Sequence, residues 1–247
     1  VDSSDVIKTP GSESNVKEIY DTCAELDRDP ANIIFNQFCE FGNYLIHRNC
    51  TGAALETLYH ALTQGKSGAK LAAYVSASGS GGTLAAGDHL KQTLGARIVA
   101  VEAAECPTLL CNGFGEHNIQ GIGDKHIPWI HNVKNTDMAI AIDDEDSQRL
   151  LRLFNTADGK AYMKNELGMS DEEVEKMSWL GISGIANVLC CIKMAKYYEL
   201  TENDVVATVL TDSAVMYGSR IEELNQQHGA YNAHEAALDH AVHMLGL

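Results

Sequence analysis

Hydrophobic positions along the chain switch repeatedly between helical spacing and short continuous runs. At 16–26, Val16, Ile19, Tyr20, Cys23 and Leu26 recur at helical spacing, behind cap candidates at Ser12 and Ser14 and ahead of a breaker at 27–30. Residues 33–38 make an apolar run of strand length, and 52–63 reads as a helix with Leu55, Leu58, Tyr59 and Leu62 on one face. The pattern then sharpens: a strand of buried type at 71–75, a loop of small residues at 76–82, a helix at 83–94 and a second strand at 97–101. A strand–helix–strand unit of this kind needs a crossover and hence parallel strands.

A glycine-dense loop at 111–123 follows, then a strand at 138–142 and a helix at 144–155. A long helix falls within 181–198, a strand at 205–210 and a helix start at 218–227. Alternation of this sort predicts an α/β fold: an open, mainly parallel twisted sheet with helices on both faces. The acidic stretch at 157–176 reads as a pair of surface helices. In 231–247, Ala237, Leu238, Ala241, Met244 and Leu245 have the spacing of a helix that docks on the domain or on a partner subunit. His228, His234, His240 and His243 are expected on its solvated side, and no metal site is expected.

Charge narrows the partners. Lys and Arg total 18 against 34 Asp and Glu, a net charge of −16 with no basic run, so a nucleic-acid partner and an anionic membrane surface are not expected. The chain holds no continuous apolar run of the roughly 18 residues needed to cross a bilayer. Its first residues lack the basic start and apolar core of a secretory signal, and the seven cysteines form no CxxC framework. These features predict a reduced, cytoplasmic setting, with the thiols acting as buried small hydrophobes.

The loop Ser76–Thr83, SASGSGGT, lies between a strand and a helix. Its glycines let the backbone approach an oxyanion, and the helix end adds its positive pole. On so acidic a chain, an anion site must be built from backbone N–H groups. The same residues would also make a tight turn without a ligand. The loop is not a Walker A sequence, since no Lys follows the glycines. Counting from Gly79 through Gly81 puts Leu84 where a dinucleotide fingerprint needs its last glycine, although Glu102 sits near the distance of a ribose-binding acid. A Rossmann-like nucleotide-binding oxidoreductase domain therefore stays open, as does a non-catalytic phosphate-ligand module. At the end of 205–210, Thr211, Asp212 and Ser213 occupy the position where open α/β sheets contact ligands, and could equally cap the next helix.

Together these segments resemble the fold type II (tryptophan synthase β-like) pyridoxal-phosphate enzymes, in the cysteine synthase and cystathionine β-synthase branch. The family's G-[ST]-G-G-T loop matches GSGGT at 79–83, and its Q-G-I-G segment followed by I-P matches HNIQGIGDKHIP at 117–128. G-I-S-S-G is matched, with one serine missing, by GISG at 181–184, and the Q-F, I-H and T-G run by Gln37, Phe38, Ile46, His47, Thr51 and Gly52. The serine at the pyridine nitrogen matches Ser213.

The resemblance implies that Gly79, Ser80, Gly81, Gly82 and Thr83 hold the phosphate of pyridoxal 5'-phosphate and that Ser213 meets its ring nitrogen. It places Gln37, Gly121 and Gly181 near a small amino-acid substrate. The implied chemistry is β-replacement or β-elimination on a serine-type substrate, by a homodimer. The family's Schiff-base lysine, in a segment like S-x-K-x-R, has no match: Lys8, Lys66 and Lys70 stand in other surroundings. The expectation is thus a remnant of the smaller domain at 1–41 and the larger cofactor-binding domain at 42–247, inactive by itself. A fragment is favoured over half of a split enzyme or a lysine-less relative.

Overall fold

The computed structural model describes residues 5–11 and 15–247, so the cap candidates Ser12 and Ser14 lie outside the described residues. The sheet comprises β1 (Lys70–Ala77), β2 (Arg97–Ala103), β3 (Met138–Ile142) and β4 (Asp204–Thr208). Its order is β3-β2-β1-β4 and every neighbouring pair is parallel, with Val75 opposite Val99 and Val101 opposite Ile140. The helices are α1 (Lys17–Leu26), α2 (Phe41–Ile46), α3 (Gly52–Thr63), α4 (Ala85–Leu94), α5 (Thr108–Cys111), α6 (Asp144–Asn155), α7 (Ala157–Asn165), α8 (Asp171–Met177), α9 (Ile182–Tyr197), α10 (Gly218–His228) and α11 (Ala233–His240).

Strand alternation sorts the core onto the two faces of the sheet. Ala73, Val75, Val99, Val101 and Ala103 pack with Leu150 of α6 and Ile182, Ile185 and Leu189 of α9. Leu71 and Tyr74 pack with Ala86 and Leu90 of α4 and with Leu55 and Tyr59 of α3. Leu71 and Tyr74 share a face because the pairing with β4 shifts register between Leu71 and Ala73. Each large apolar side chain buried in this way contributes about 1.5–3 kcal/mol. The expected α/β class, with its parallel sheet and helices on both faces, is what the chain adopts.

Several local expectations are corrected. Residues 33–38 form no strand: no neighbouring strand offers a ladder, and Ile33 and Phe35 stand 77% and 90% exposed. Leu58 and Leu62 face solvent, because only the Leu55 and Tyr59 side of α3 reaches the sheet. In α11 the buried positions are Ala236 and Asp239, while Leu238, and Leu245 in the π-helical turn Ala241–Leu245 that follows, are exposed. Asp239 is drawn inward by the Tyr231 hydroxyl, which donates to it at 2.8 Å. His228 and His234 are exposed as expected, while His240 meets Tyr162 at 3.2 Å and His243 meets Asp146 at 2.8 Å, both half-buried. Of the cysteines, Cys106 and Cys190 are buried; Cys39 in a turn, Cys50 in the π-helical stretch His47–Thr51 and Cys111 at the end of α5 are exposed.

Candidate active site

β1 ends at Ala77, and residues 78–84 turn into α4. The turn depends on Gly81, whose φ of +79° puts it in the left-handed region that favours glycine. Among the described residues, the backbone N–H groups of Gly79, Ser80 and Gly81 find no acceptor. Three adjacent free donors beside a helix start make an anion-binding concavity.

The hydroxyls are arranged toward the same end. Ser80 Oγ accepts from Asn43 Nδ2 at 3.0 Å and from the Gly82 N–H at 3.3 Å. A hydroxyl has two acceptor sites and one proton, so Ser80 keeps its O–H to donate outward. Thr83 Oγ1 accepts from Ser76 Oγ at 2.9 Å, which leaves its proton free in the same way. Asn43 lies directly over Gly82, where an added Cβ would stand 2.2 Å from Asn43 Oδ1, and it also donates to Gln37 O at 2.9 Å. Asn43 thus ties the segment before α2 to the loop. Its helical neighbours gave no periodicity to notice, and the contact spans 37 positions of sequence.

A cleft of about 550 Å³ opens beside the loop, lined by Gly79 and Ser80, by Gln37 and Phe38, by Gly121 through Asp124, and by parts of 9–11 and 15–19. Gly79 packs against the 121–124 loop, a Cβ on it standing 3.2 Å from Gly121 O, and the Gly123 N–H donates to Ser78 O at 2.8 Å. A Cβ on Gly121 would in turn stand 3.9 Å from Ser183 Oγ, and Ser183 Oγ lies 3.3 Å from Thr211 Oγ1. Gly181 N–H donates to Asp212 O at 3.2 Å. These contacts gather Gly79, Gly121 and Gly181 at the carboxyl end of β1 and β4, although Gly81, Gly82, Thr83, Gly181 and Ser213 do not line the cleft itself. Ser213 holds the N-cap position of the 3-10 turn Ala214–Tyr217 without a side-chain cap bond, and Asp212 Oδ2 accepts from the Tyr217 hydroxyl at 2.6 Å.

Two other candidates resolve. Glu102 is 5% exposed and its carboxylate accepts from the N–H groups of Leu109 at 2.7 Å and Leu110 at 3.0 Å. Burial pushes its proton affinity up, partly offset by those two donors. It anchors the start of α5 and is not open to a ribose. Lys70 belongs to the opposite end of β1, paired with Asp204 at 3.0 Å, and Lys8 and Lys66 are exposed. No lysine lines the cleft.

A parallel α/β sheet whose strand ends present a glycine loop with free amides belongs to the open-sheet class, in which such a loop suits an anion. No family model matches the chain. It is 33% identical over 190 residues to cysteine synthase B of Campylobacter jejuni, covering 76% of this chain and 54% of that protein. Its fold superposes on O-acetyl serine sulfhydrylase isoform 3 from Entamoeba histolytica with a TM-score of 0.64 at 24% identity, covering 92% of this chain and 60% of that one. It also superposes on O-acetylserine-dependent cystathionine beta-synthase from Helicobacter pylori, with a TM-score of 0.59 at 25% identity, covering 87% and 61%. The chain is a homologue of the pyridoxal-phosphate-dependent enzymes of the cysteine synthase branch. It spans about half the length of the curated relatives it matches.

Proposed function

We propose that this chain is the cofactor-binding portion of an enzyme that carries out β-replacement or β-elimination on a serine-type amino acid. The observation that carries the reading is the row of uncommitted N–H groups at Gly79, Ser80 and Gly81, beside the outward-donating Ser80 hydroxyl. This set fits a phosphate group and needs no cation. When bound, pyridoxal phosphate supplies an electron sink for the bond-breaking at the amino acid's α- and β-carbons. Gly82 and Thr83 complete the turn that presents the donors.

Ser213, whose hydroxyl makes no bond among the described residues, stands for the partner of the pyridine nitrogen. A hydroxyl there leaves the nitrogen neutral, which suits departure of a β-leaving group. Gln37, Gly121 and Gly181 border the substrate. On this reading 1–41 belongs with the smaller domain and 42–247 is the larger domain. The working enzyme is a cytoplasmic homodimer with transferase or lyase activity, and this chain alone is inactive for want of the lysine.

Titration of the 247-residue chain with pyridoxal phosphate, followed by isothermal calorimetry and amide NMR, tests the reading. Saturable binding that shifts the Gly79–Gly81 amides is expected, with no single lysine labelled after borohydride. Saturable binding of a reduced dinucleotide without binding of pyridoxal phosphate would overturn it. A specific borohydride-labelled lysine would refute the inactivity of the isolated chain.

A further inference from the structure

The stretch 33–38 keeps the side-chain alternation of a strand without a sheet to join. Ile34, Asn36 and Phe38 are half-buried, while Ile33 and Phe35 stand 77% and 90% exposed. Phe38 meets the Tyr20 ring of α1 edge-on at 5.8 Å, and a groove of about 330 Å³ runs between this stretch and α1. Among the described residues, the N–H groups of Ile33, Ile34, Phe35, Asn36 and Gln37 and the carbonyls of Ile33, Ile34 and Phe35 make no hydrogen bond. The far end is occupied: Gln37 O accepts from Asn43 at 2.9 Å, and Asn36 O accepts from the N–H groups of Cys39 at 3.1 Å and Glu40 at 3.0 Å. The open part is thus 33–35. An unpaired edge with bare apolar side chains on one face is a template for another strand.

Charge selects the partner. Residues 31–39 hold no charged side chain, between Asp29 on one side and Glu40 on the other. Two copies of a chain of net charge −16 repel each other over most of their surface, so a charge-free edge is where they can meet. The geometry is self-complementary too. Opposite residues of an antiparallel pair share a face, so a two-fold axis passes through a residue position and not between two. Centred on Ile34, it sets Ile33 of each copy opposite Phe35 of the other, a β-branched residue against an aromatic ring, and the free N–H and C=O groups of both residues exchange hydrogen bonds reciprocally.

We propose that residues 33–35 are the docking edge for a second copy of this chain, paired antiparallel about Ile34. The pairing does not depend on the cofactor reading. Gln37 and Phe38 line both the groove and the phosphate-loop cleft, so the second copy stands beside that cleft.

Sedimentation velocity of the 247-residue chain over a low- to high-micromolar series, with amide exchange followed by NMR, tests the proposal. A monomer–dimer equilibrium is expected, in which exchange at Ile33 and Phe35 slows as the dimer fills, while Ile34, whose N–H points away from the partner strand, keeps its rate. Ile33→Lys with Phe35→Lys puts like charges opposite each other in both cross-strand pairs and should weaken the dimer about tenfold or more; Ile33→Glu with Phe35→Lys puts opposite charges there and should keep it. The two-lysine change lowers the net negative charge, so general repulsion cannot account for its loss. Both positions are exposed, and circular dichroism checks that each variant folds. A chain that stays monomeric at the top of the series would overturn the proposal. So would a dimer that survives the two-lysine change, as it would if the exposed Trp179 and its apolar groove held the copies together. Equal loss in both double variants would also overturn it, since 33 would then not stand opposite 35.

Discussion

Replacing Asn43 by Ala isolates the device that orients the phosphate loop. In the native chain Asn43 Nδ2 fills one acceptor site of Ser80 Oγ and also satisfies Gln37 O. Without it the Ser80 hydroxyl can turn inward, and one oriented, charge-assisted hydrogen bond to the phosphate is lost. Such a bond is worth about 1–1.5 kcal/mol net here, which lowers affinity for pyridoxal phosphate or inorganic phosphate about 5- to 12-fold. Isothermal calorimetry on the native chain, Asn43→Ala, Ser80→Ala and the double variant measures this directly, with thermal melts confirming that each folds. Because Asn43 is argued to act through Ser80, the double variant should lose little more than either single one. Additive losses would refute the mechanism, as would an Asn43→Ala chain whose affinity matches the native one.

Gly82→Ala should reproduce the Asn43 loss without touching Asn43, because the new methyl would meet Asn43 Oδ1 at 2.2 Å and displace it; calorimetry is again the readout. Glu102→Ala strips two part-buried N–H groups of their acceptor and should cost about 1–3 kcal/mol in urea unfolding while leaving phosphate affinity unchanged. Asp204 is held down to about 2 by the Thr201 backbone N–H, by Lys70 and by the Thr201 hydroxyl. A carboxylate depressed in the folded state stabilises it above the unfolded value, so that contribution should fade as pH drops from about 4 toward 2. Asp204→Asn should flatten that part of a melting-temperature profile, and an unchanged profile would count against the assignment.

The sequence was most legible where a local period and a breaker coincide. The strand at 138–142 and the helix at 144–155 emerge with those bounds, the helix opening on Asp143, whose carboxylate accepts from the Glu145 N–H at 2.8 Å. The phosphate loop was legible because its glycines are a local requirement. What was illegible depended on distant partners. Nothing local distinguishes the apolar run at 33–38 from a strand; it lacks only a neighbour to pair with. The helix at Phe41–Ile46 was missed, since it is short and contains Gly42 and Asn43, and it continues into α3 through a π-helical turn at His47–Thr51. Asn43 reaches the glycine loop through a contact that residue type alone does not announce.

The cationless cradle also governs how fast a ligand arrives. A chain of net charge −16 repels an incoming phosphate at long range, while the N–H groups that hold it act only on contact. Raising the salt from 0.1 to 1 M shortens the Debye length from about 10 Å to about 3 Å, which screens the repulsion and leaves the contact donors nearly untouched. Association should therefore quicken with potassium chloride while dissociation holds steady, the reverse of the salt response of sites that steer anions in with lysine and arginine.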